Sequence, residues 1–373
     1  LSDRYDFAIV GAGMAGASLA AELAPHASVV VLEAEDRAGY HATGRSAAFW
    51  EECYGGPQIL PLTAASGAYL RDGGFLQVRG ALYIGRDADA ALLDGFIERF
   101  AATEATLERL DQSALRRMIP GLRAEWTRGI FQPACADIDV AGLHEHYLKR
   151  ARRAGAVFHR SQRVTRIEEQ AQGWRLAAAG GMKLQVSTVV NAAGAWADEI
   201  AALAGIGPLG ISPLRRTVAQ LRILPEPPAQ MPLVLDIAGR FYFKPEHGRL
   251  WLSPHDETPS APVDAAPEEW DVALAIDRLQ SVADWQVEAV ERKWAGLRSF
   301  APDRLPVYGR DPRSPNFAWF AGQGGFGIQT APAAAKLMAR HLLHGRVDEV
   351  QMSGGAVDLS QLQAETYAPD RLI

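Results

Sequence analysis

The chain has 373 residues, 48% hydrophobic and 22% charged, with a formal net charge of −6. That length suffices for two domains and a large core, and the excess of acid gives no electrostatic reason to expect nucleic acid or an anionic membrane surface as a partner. Two cysteines, Cys53 and Cys135, make no disulfide framework, no Cys/His spacing fits zinc, and the apolar runs fall far short of a bilayer span. A cytoplasmic protein with no metal site, no signal peptide and no integral membrane segment is expected.

In chain order, Asp6 to Val10 is a short apolar run, followed by Gly11, Gly13 and Gly16 in the spacing G-x-G-x-x-G. Met14 to Leu23 is small and helix-forming, Ser28 to Leu32 is a second apolar run, and Glu33 ends it. Strand, tight turn, helix, strand and acid make a βαβ unit that binds an ADP moiety. Gly11 allows the sharp turn, Gly13 lets a pyrophosphate approach the backbone, and Gly16 lets the helix lie against the strand. The helix start at Met14 and Ala15 offers N–H groups to phosphate. Glu33, followed by Ala34, is placed to accept from ribose hydroxyls, and its charge disfavours a 2′-phosphate.

Residues 39–50 read GYHATGRSAAFW. Thr43 or Ser46 is placed to cap a helix over the small residues that follow. Taken alone this is a capped surface helix. Its position just after the second strand turns it toward the nucleotide, and His41, Thr43, Gly44, Arg45, Ser46, Ala47 and Ala48 become cofactor candidates.

Leu76 to Ile84 reads as strands broken at Gly80. Ala88 to Phe100 and Asp111 to Met118 read as amphipathic helices, and Ile138 to Ala154 as a helix with Asp137 or Asp139 as its cap. An antiparallel ribbon is expected from 156–167, 174–178 and 184–186, turning at Gly173 and Gly180-Gly181. A separate buried strand, 188–191, then runs into Ala192, Ala193, Gly194, Ala195 and Trp196, where backbone can touch a ligand. Phe241-Tyr242-Phe243 and Leu250-Trp251-Leu252 form a hairpin with Tyr242 on the opposite face from the two phenylalanines. A helix over 268–283 and a strand over 287–299 follow, the strand carrying Trp294 and Arg298. A second glycine junction closes the chain: strand 317–321, then Gly322, Gly324, Gly325 and Gly327, then Ile328, Gln329 and Thr330 entering a helix to about 343. Two such junctions at opposite ends suggest one extended ligand held by both, and FAD suits this better than NAD.

DFAIVGAGMAG, HATGRSAA, VVNAAGAWAD, WAGLRSFAPD and AGQGGFGIQTAPA, in that order, resemble the D-amino acid oxidase/dehydrogenase superfamily of FAD enzymes, in particular its bacterial D-arginine dehydrogenase group. The resemblance runs along essentially the whole chain. It implies an α/β fold with a discontinuous Rossmann-type FAD-binding domain (1–49, 135–205 and 300–373) and a substrate domain of mixed β-sheet and helices (50–134 and 206–299). It also implies non-covalent FAD touched by Val164, by Ala193, Gly194 and Trp196, and by the loop from Gly322 to Thr330. His41 is an alternative, covalent flavin anchor, as in some amine-oxidising relatives.

The implied reaction is hydride transfer from an amino acid α-carbon to flavin N5, then hydrolysis of the imino acid to an oxo acid and ammonia. The electron acceptor, whether quinone, dye or oxygen, is left open. The resemblance makes Arg298 the grip on the α-carboxylate, Arg216 a second ligand, Tyr242 a hydroxyl donor, and Tyr54 a lid over the substrate. Gln329 and Gly325 would touch the flavin or the amino group. Against these stand a surface salt bridge for Arg298, an exposed pair for Arg215 and Arg216, and plain packing for Tyr242.

D-Arginine dehydrogenase has a glutamate near position 81 that meets the substrate guanidinium. Here the stretch is Gly80-Ala81-Leu82-Tyr83, with no acid. A preference for neutral or apolar D-amino acids is expected, because an unpaired guanidinium in an apolar pocket is costly. Glu51 is the one candidate to restore the charge. Oxidation of sarcosine, proline or similar secondary amines, or of glycine, on the same fold, a D-arginine dehydrogenase with a rearranged side-chain site, and a non-enzymatic FAD-binding subunit are the alternatives.

Overall fold

The computed structural model describes residues 4–344 and 357–373; residues 1–3 and 345–356 of the expected FAD domain lie outside the described residues. The chain begins with β1 (Arg4–Val10), α1 (Met14–Leu23) and β2 (Val29–Leu32). β1 pairs in parallel with β2 on one edge and with Lys183–Asn191 on the other, so it lies inside the sheet. Phe7 and Ile9 face a core shared with α1 and the helices Val140–Arg153 and Ala331–Leu343, while Ala8 and Val10 face a second core under Ala197–Leu203. Burial on both faces is why β1 and β2 read as unbroken apolar runs.

The ribbon differs from expectation. Val157–His159 leaves it and pairs in parallel with β2. The runs at 184–186 and 188–191 are one strand, because β1 holds it in register from Arg4↔Gln185 to Val10↔Asn191. Its other edge pairs first with Gly173–Ala178 and then with Ser314–Ala321, which brings the C-terminal glycine junction beside the N-terminal one.

The expected helix after Thr43 does not form. Only one 3-10 turn, Thr43–Arg45, is present, followed by β3 (Phe49–Trp50) paired with Ala136–Ile138. The Ser46 hydroxyl accepts from the N–H of Ala48 at 3.1 Å, a local bond that competes with helix propagation. Thr43 caps a helix other than its own: its hydroxyl accepts from Met14 N, at the start of α1, at 2.9 Å. Asp139 caps Val140–Arg153 through Gly142 N, whereas Asp137 pairs with Arg79 and Lys244.

The second sheet is mixed. Its backbone is the long antiparallel pair Ser212–Leu224 and Gln286–Phe300, flanked by the hairpin Tyr242–Glu246/Arg249–Ser253. Beyond the hairpin lie Leu233–Asp236 and β5 (Ala81–Arg86), which pair in parallel, after the short β4 (Leu76–Val78). Phe243, Val234, Ala219 and Leu221 pack under helix Glu269–Gln280 through Val272, Ala275 and Leu279. The alternate residues on the opposite face look toward the first sheet, and they build the site. Among the described residues no helix is long and apolar enough to cross a membrane.

Candidate active site

One continuous cleft runs between the two sheets. At one end it is lined by Val10, Gly11, Gly13, Met14, Ala15, Glu33 and Ala34. The Glu33 carboxylate accepts from the N–H groups of Ala12 (2.8 Å) and Glu35 (3.0 Å), which fixes it beside the glycine turn. Gly11 has φ +103°, and a Cβ there would lie 2.5 Å from Ala192 O, so only glycine fits where the two strand ends meet. His41, Thr43, Arg45, Ser46, Ala47, Ala48, Val164, Ala193, Gly194 and Trp196 line the middle. His41 Nε2 lies 3.1 Å from Glu35 Oε1, and its ring is 4.7 Å from that of Trp196. Gly324, Gly325, Gly327, Ile328 and Gln329 line the far end.

Four residues expected at the cofactor do not line the cleft. A Cβ on Gly16 would meet Gly11 O at 1.9 Å, so this glycine serves helix–strand contact. Gly44 faces Gly39 O in the same way, Gly322 forms a left-handed turn at φ +71°, and the buried Thr330 hydroxyl donates to Phe326 O within its own helical start. Gln329 reaches the cleft, but its amide is committed elsewhere. Nε2 donates to Glu51 O and to Thr63 Oγ1, and Oε1 accepts from Glu51 N, so it ties the loop to residue 51 rather than offering a free amide.

The substrate end rests on sheet register. Arg216 pairs across from Gly296 and Arg298 from Leu214, which makes the two arginines diagonal neighbours on one face. Both line the cleft with Tyr242, Tyr54, Val218, Leu233 and Leu235. Arg298 Nη1 donates to Tyr54 Oη at 2.7 Å, and its Nη2 donates to Glu257. Burial opposes the Arg298 charge, and the Tyr54 and Glu257 oxygens outweigh it. Burial and the neighbouring Arg298 lower the pKa of Arg216. Arg215 points the other way, onto Glu268 and Asp271. A Cβ on Gly325 would lie 1.8 Å from Tyr54 Oη and 2.9 Å from Arg298 Nη1, so the C-terminal loop is bare where it backs this cradle.

Sequence reasoning missed the loop 254–257. His255 lines the cleft with its ring 5.7 Å from Tyr242, and Nδ1 donates to Gly239 O at 2.8 Å, leaving Nε2 as the acceptor. Burial, with Arg216 and Arg298 nearby, pushes its pKa down to about 3, so it is neutral. The polar run His255-Asp256-Glu257 just after the hairpin was the available signal. Position 81 is apolar in fact as well as in identity: Ala81 is fully buried and registers with Leu233. Glu51 does not replace the missing acid as a free charge. It is 1% exposed, Oε1 accepts from Cys53 N, and burial pushes its pKa up to about 7.

The residues present fit FAD. An acid stands at the ribose end, a helix N-terminus and bare glycines stand where the pyrophosphate must pass, and a second glycine loop lies at the flavin end. Such a cleft between a Rossmann-type sheet and a mixed sheet is that of an FAD-dependent oxidoreductase with FAD-binding and substrate domains. The chain belongs to the FAD dependent oxidoreductase (DAO) family, which matches residues 6–341. It is similar to FAD-dependent oxidoreductase domain-containing protein 1 of Bos taurus, 27% identical over 186 residues, 46% of this chain and 38% of that protein. The chain thus spans less than two fifths of the length of the first curated relatives it matches. Its fold is similar to glycine oxidase from Geobacillus kaustophilus (TM-score 0.80, 23% identity, 96% of this chain and 97% of that one). It is also similar to L-proline dehydrogenase from P. horikoshii (TM-score 0.82, 20% identity, 100% and 98%).

Proposed function

We propose that this chain oxidises D-amino acids with neutral, apolar side chains. The observation that carries the reading is a carboxylate cradle beside an apolar wall: Arg298, Arg216, Tyr242 and Tyr54 next to Phe49, Val218, Leu233 and Leu235. The D configuration rests on the resemblance of the five ordered motifs to D-amino acid dehydrogenases.

A guanidinium that already donates to a tyrosine hydroxyl and, through Nη2, to the Glu257 carboxylate is pre-set for a carboxylate. Arg216, on the strand beside that of Arg298, and Tyr242, one strand further on past Arg249–Ser253, flank the same spot, with the Arg216 guanidinium 5.8 Å from the Tyr242 ring centre. Phe49 packs edge-on against Tyr242 at 5.6 Å, and with Leu233 and Leu235 gives the side chain an environment that rewards methylenes and penalises charge. Bound FAD supplies the hydride acceptor, and the resulting imino acid hydrolyses to a 2-oxo acid and ammonia. The chain's own contribution is to orient the α-carbon and to exclude water, since no side-chain base is needed when the amine arrives neutral. Electrons then pass to an external acceptor of quinone, dye or oxygen type.

We assign residues 1–49, 135–205 and 300–373 to the FAD domain and 50–134 and 206–299 to the substrate domain. FAD is held without a covalent bond, by the glycine turn, the 41–48 segment and the 324–328 loop. The test is steady-state turnover of a D-amino acid panel with an artificial dye. D-Leu, D-Met and D-Phe are expected to outpace D-Arg, and the reverse order sinks the side-chain assignment.

A further inference from the structure

The loop after strand Arg249–Ser253 places an acid among the guanidiniums. Arg298 Nη2 donates to Glu257 Oε1, Arg304 Nη2 donates to both Glu257 oxygens at 2.9 and 3.1 Å, and Arg216 Nη2 lies 3.6 Å from Oε1. Three cations therefore converge on one side-chain carboxylate. The Arg216 and Arg298 side chains are only 9% and 12% exposed, whereas Glu257 is 36% and Arg304 53% exposed. The cluster runs from a buried inner pair to an outer pair in contact with solvent.

Two buried guanidiniums side by side need counter-charge. Asp256 lies 3.8 Å from Arg216 Nε, and Arg298 Nε, though buried, has no hydrogen-bond partner. The inner pair is thus short of anionic contact, and Glu257 fills part of that deficit. A substrate carboxylate entering the cradle meets a protein carboxylate already on Arg298.

We propose that Glu257 is a specificity residue: it occupies Arg298 in the empty site, gives way to the substrate by resting on Arg304 alone, and its charge restricts the cradle to one substrate carboxylate. The proposal rests on the reading of Arg298 as carboxylate anchor. The exchange leaves each guanidinium with a carboxylate, because Arg298 and Arg216 trade that of Glu257 for that of the substrate and Arg304 already holds both Glu257 oxygens. Arg304 is fixed for that task, with its guanidinium 3.9 Å from the Phe300 ring centre. A displaced Glu257 remains at the mouth and repels a second carboxylate there.

The test uses FAD-loaded protein titrated with propionate and with succinate, read by perturbation of the flavin absorbance, which reports binding without turnover. Glu257→Gln is expected to bind propionate about tenfold more tightly and succinate about a hundredfold more tightly, so the preference for the monocarboxylate collapses. Arg304→Gln, a change at an exposed position, is expected to weaken both, since it removes the alternative seat. Weaker binding in Glu257→Gln, or an unchanged ratio of the two dissociation constants, overturns the proposal, and so does a wild-type protein that binds neither anion. Protein that binds propionate yet oxidises no D-amino acid would refute the functional reading and leave this one standing.

Discussion

The Tyr54 hydroxyl accepts from Arg298 Nη1 at 2.7 Å, joining residues 244 positions apart. The bond places a tyrosine from the segment after β3 on the guanidinium of the long strand Gln286–Phe300 of the mixed sheet. It makes Arg298 a held group rather than a free surface cation, and held groups orient ligands with less entropy loss. Arg298→Lys keeps the charge but loses the fork, and kcat/KM for a D-amino acid is expected to fall about a hundredfold or more. Tyr54→Phe removes one hydrogen bond to a charged group and should cost about 1.5–3 kcal/mol of the same quantity. Steady-state kinetics with both variants check the order.

Gly325 backs this pair so closely that any side chain must push it apart. Its Cβ would lie 1.8 Å from Tyr54 Oη. Gly325→Ala is expected to lose turnover while retaining flavin, measured as bound FAD per protein chain and as kcat/KM. Loss of flavin in step with activity would mean that Gly325 itself serves the cofactor rather than the cradle.

Two glycines near the nucleotide end, Gly16 after β1 and Gly194 after strand Lys183–Asn191, do different work. Gly16 does not touch the cleft, yet its Cβ would sit 1.9 Å from Gly11 O, so Gly16→Ala should part α1 from β1 and release FAD. Gly194 lines the cleft in open space with φ +57°, so Gly194→Ala should cost only about 1–2 kcal/mol of backbone strain. Thermal unfolding and FAD content distinguish the two variants.

Glu51 sets a pH dependence of stability. Its folded pKa is raised from 4.5 to about 7, chiefly by burial. The folded chain therefore holds a proton that the unfolded chain has released. Stability falls as pH rises from about 4.5 to about 7 and is flat beyond, for a total on the order of 3 kcal/mol. Glu51→Gln keeps an oxygen for Cys53 N and removes the titration, so the variant should be the more stable at pH 8 and lose that advantage below pH 4.5. Denaturant unfolding at the two pH values measures it.

Much of this was legible in the sequence, for definite reasons. The glycine turn, Glu33 and the C-terminal loop announce themselves because backbone approach to a ligand demands particular residue types at particular spacings. The hairpin face of Tyr242 follows from strand alternation alone. The segment 43–50 was misread as a helix because its small residues suit one, while Ser46 and the pairing of Phe49 and Trp50 with Ala136–Ile138 decide otherwise. That pairing is long-range and leaves no local pattern. Val157–His159 was placed in the ribbon for the same reason, since its true partner, β2, lies more than a hundred positions away. His255 and Glu257 were missed because a polar loop looks alike whether it meets solvent or two buried arginines.

The most direct measurement is anaerobic. Protein loaded with FAD is mixed with individual D-amino acids, L-amino acids, sarcosine and proline, and the flavin absorbance is followed. The account predicts bleaching by D-Leu, D-Met and D-Phe, weaker bleaching by D-Arg and none by the L-enantiomers. Bleaching by sarcosine or proline without any response to D-amino acids, or no bleaching at all, would contradict it.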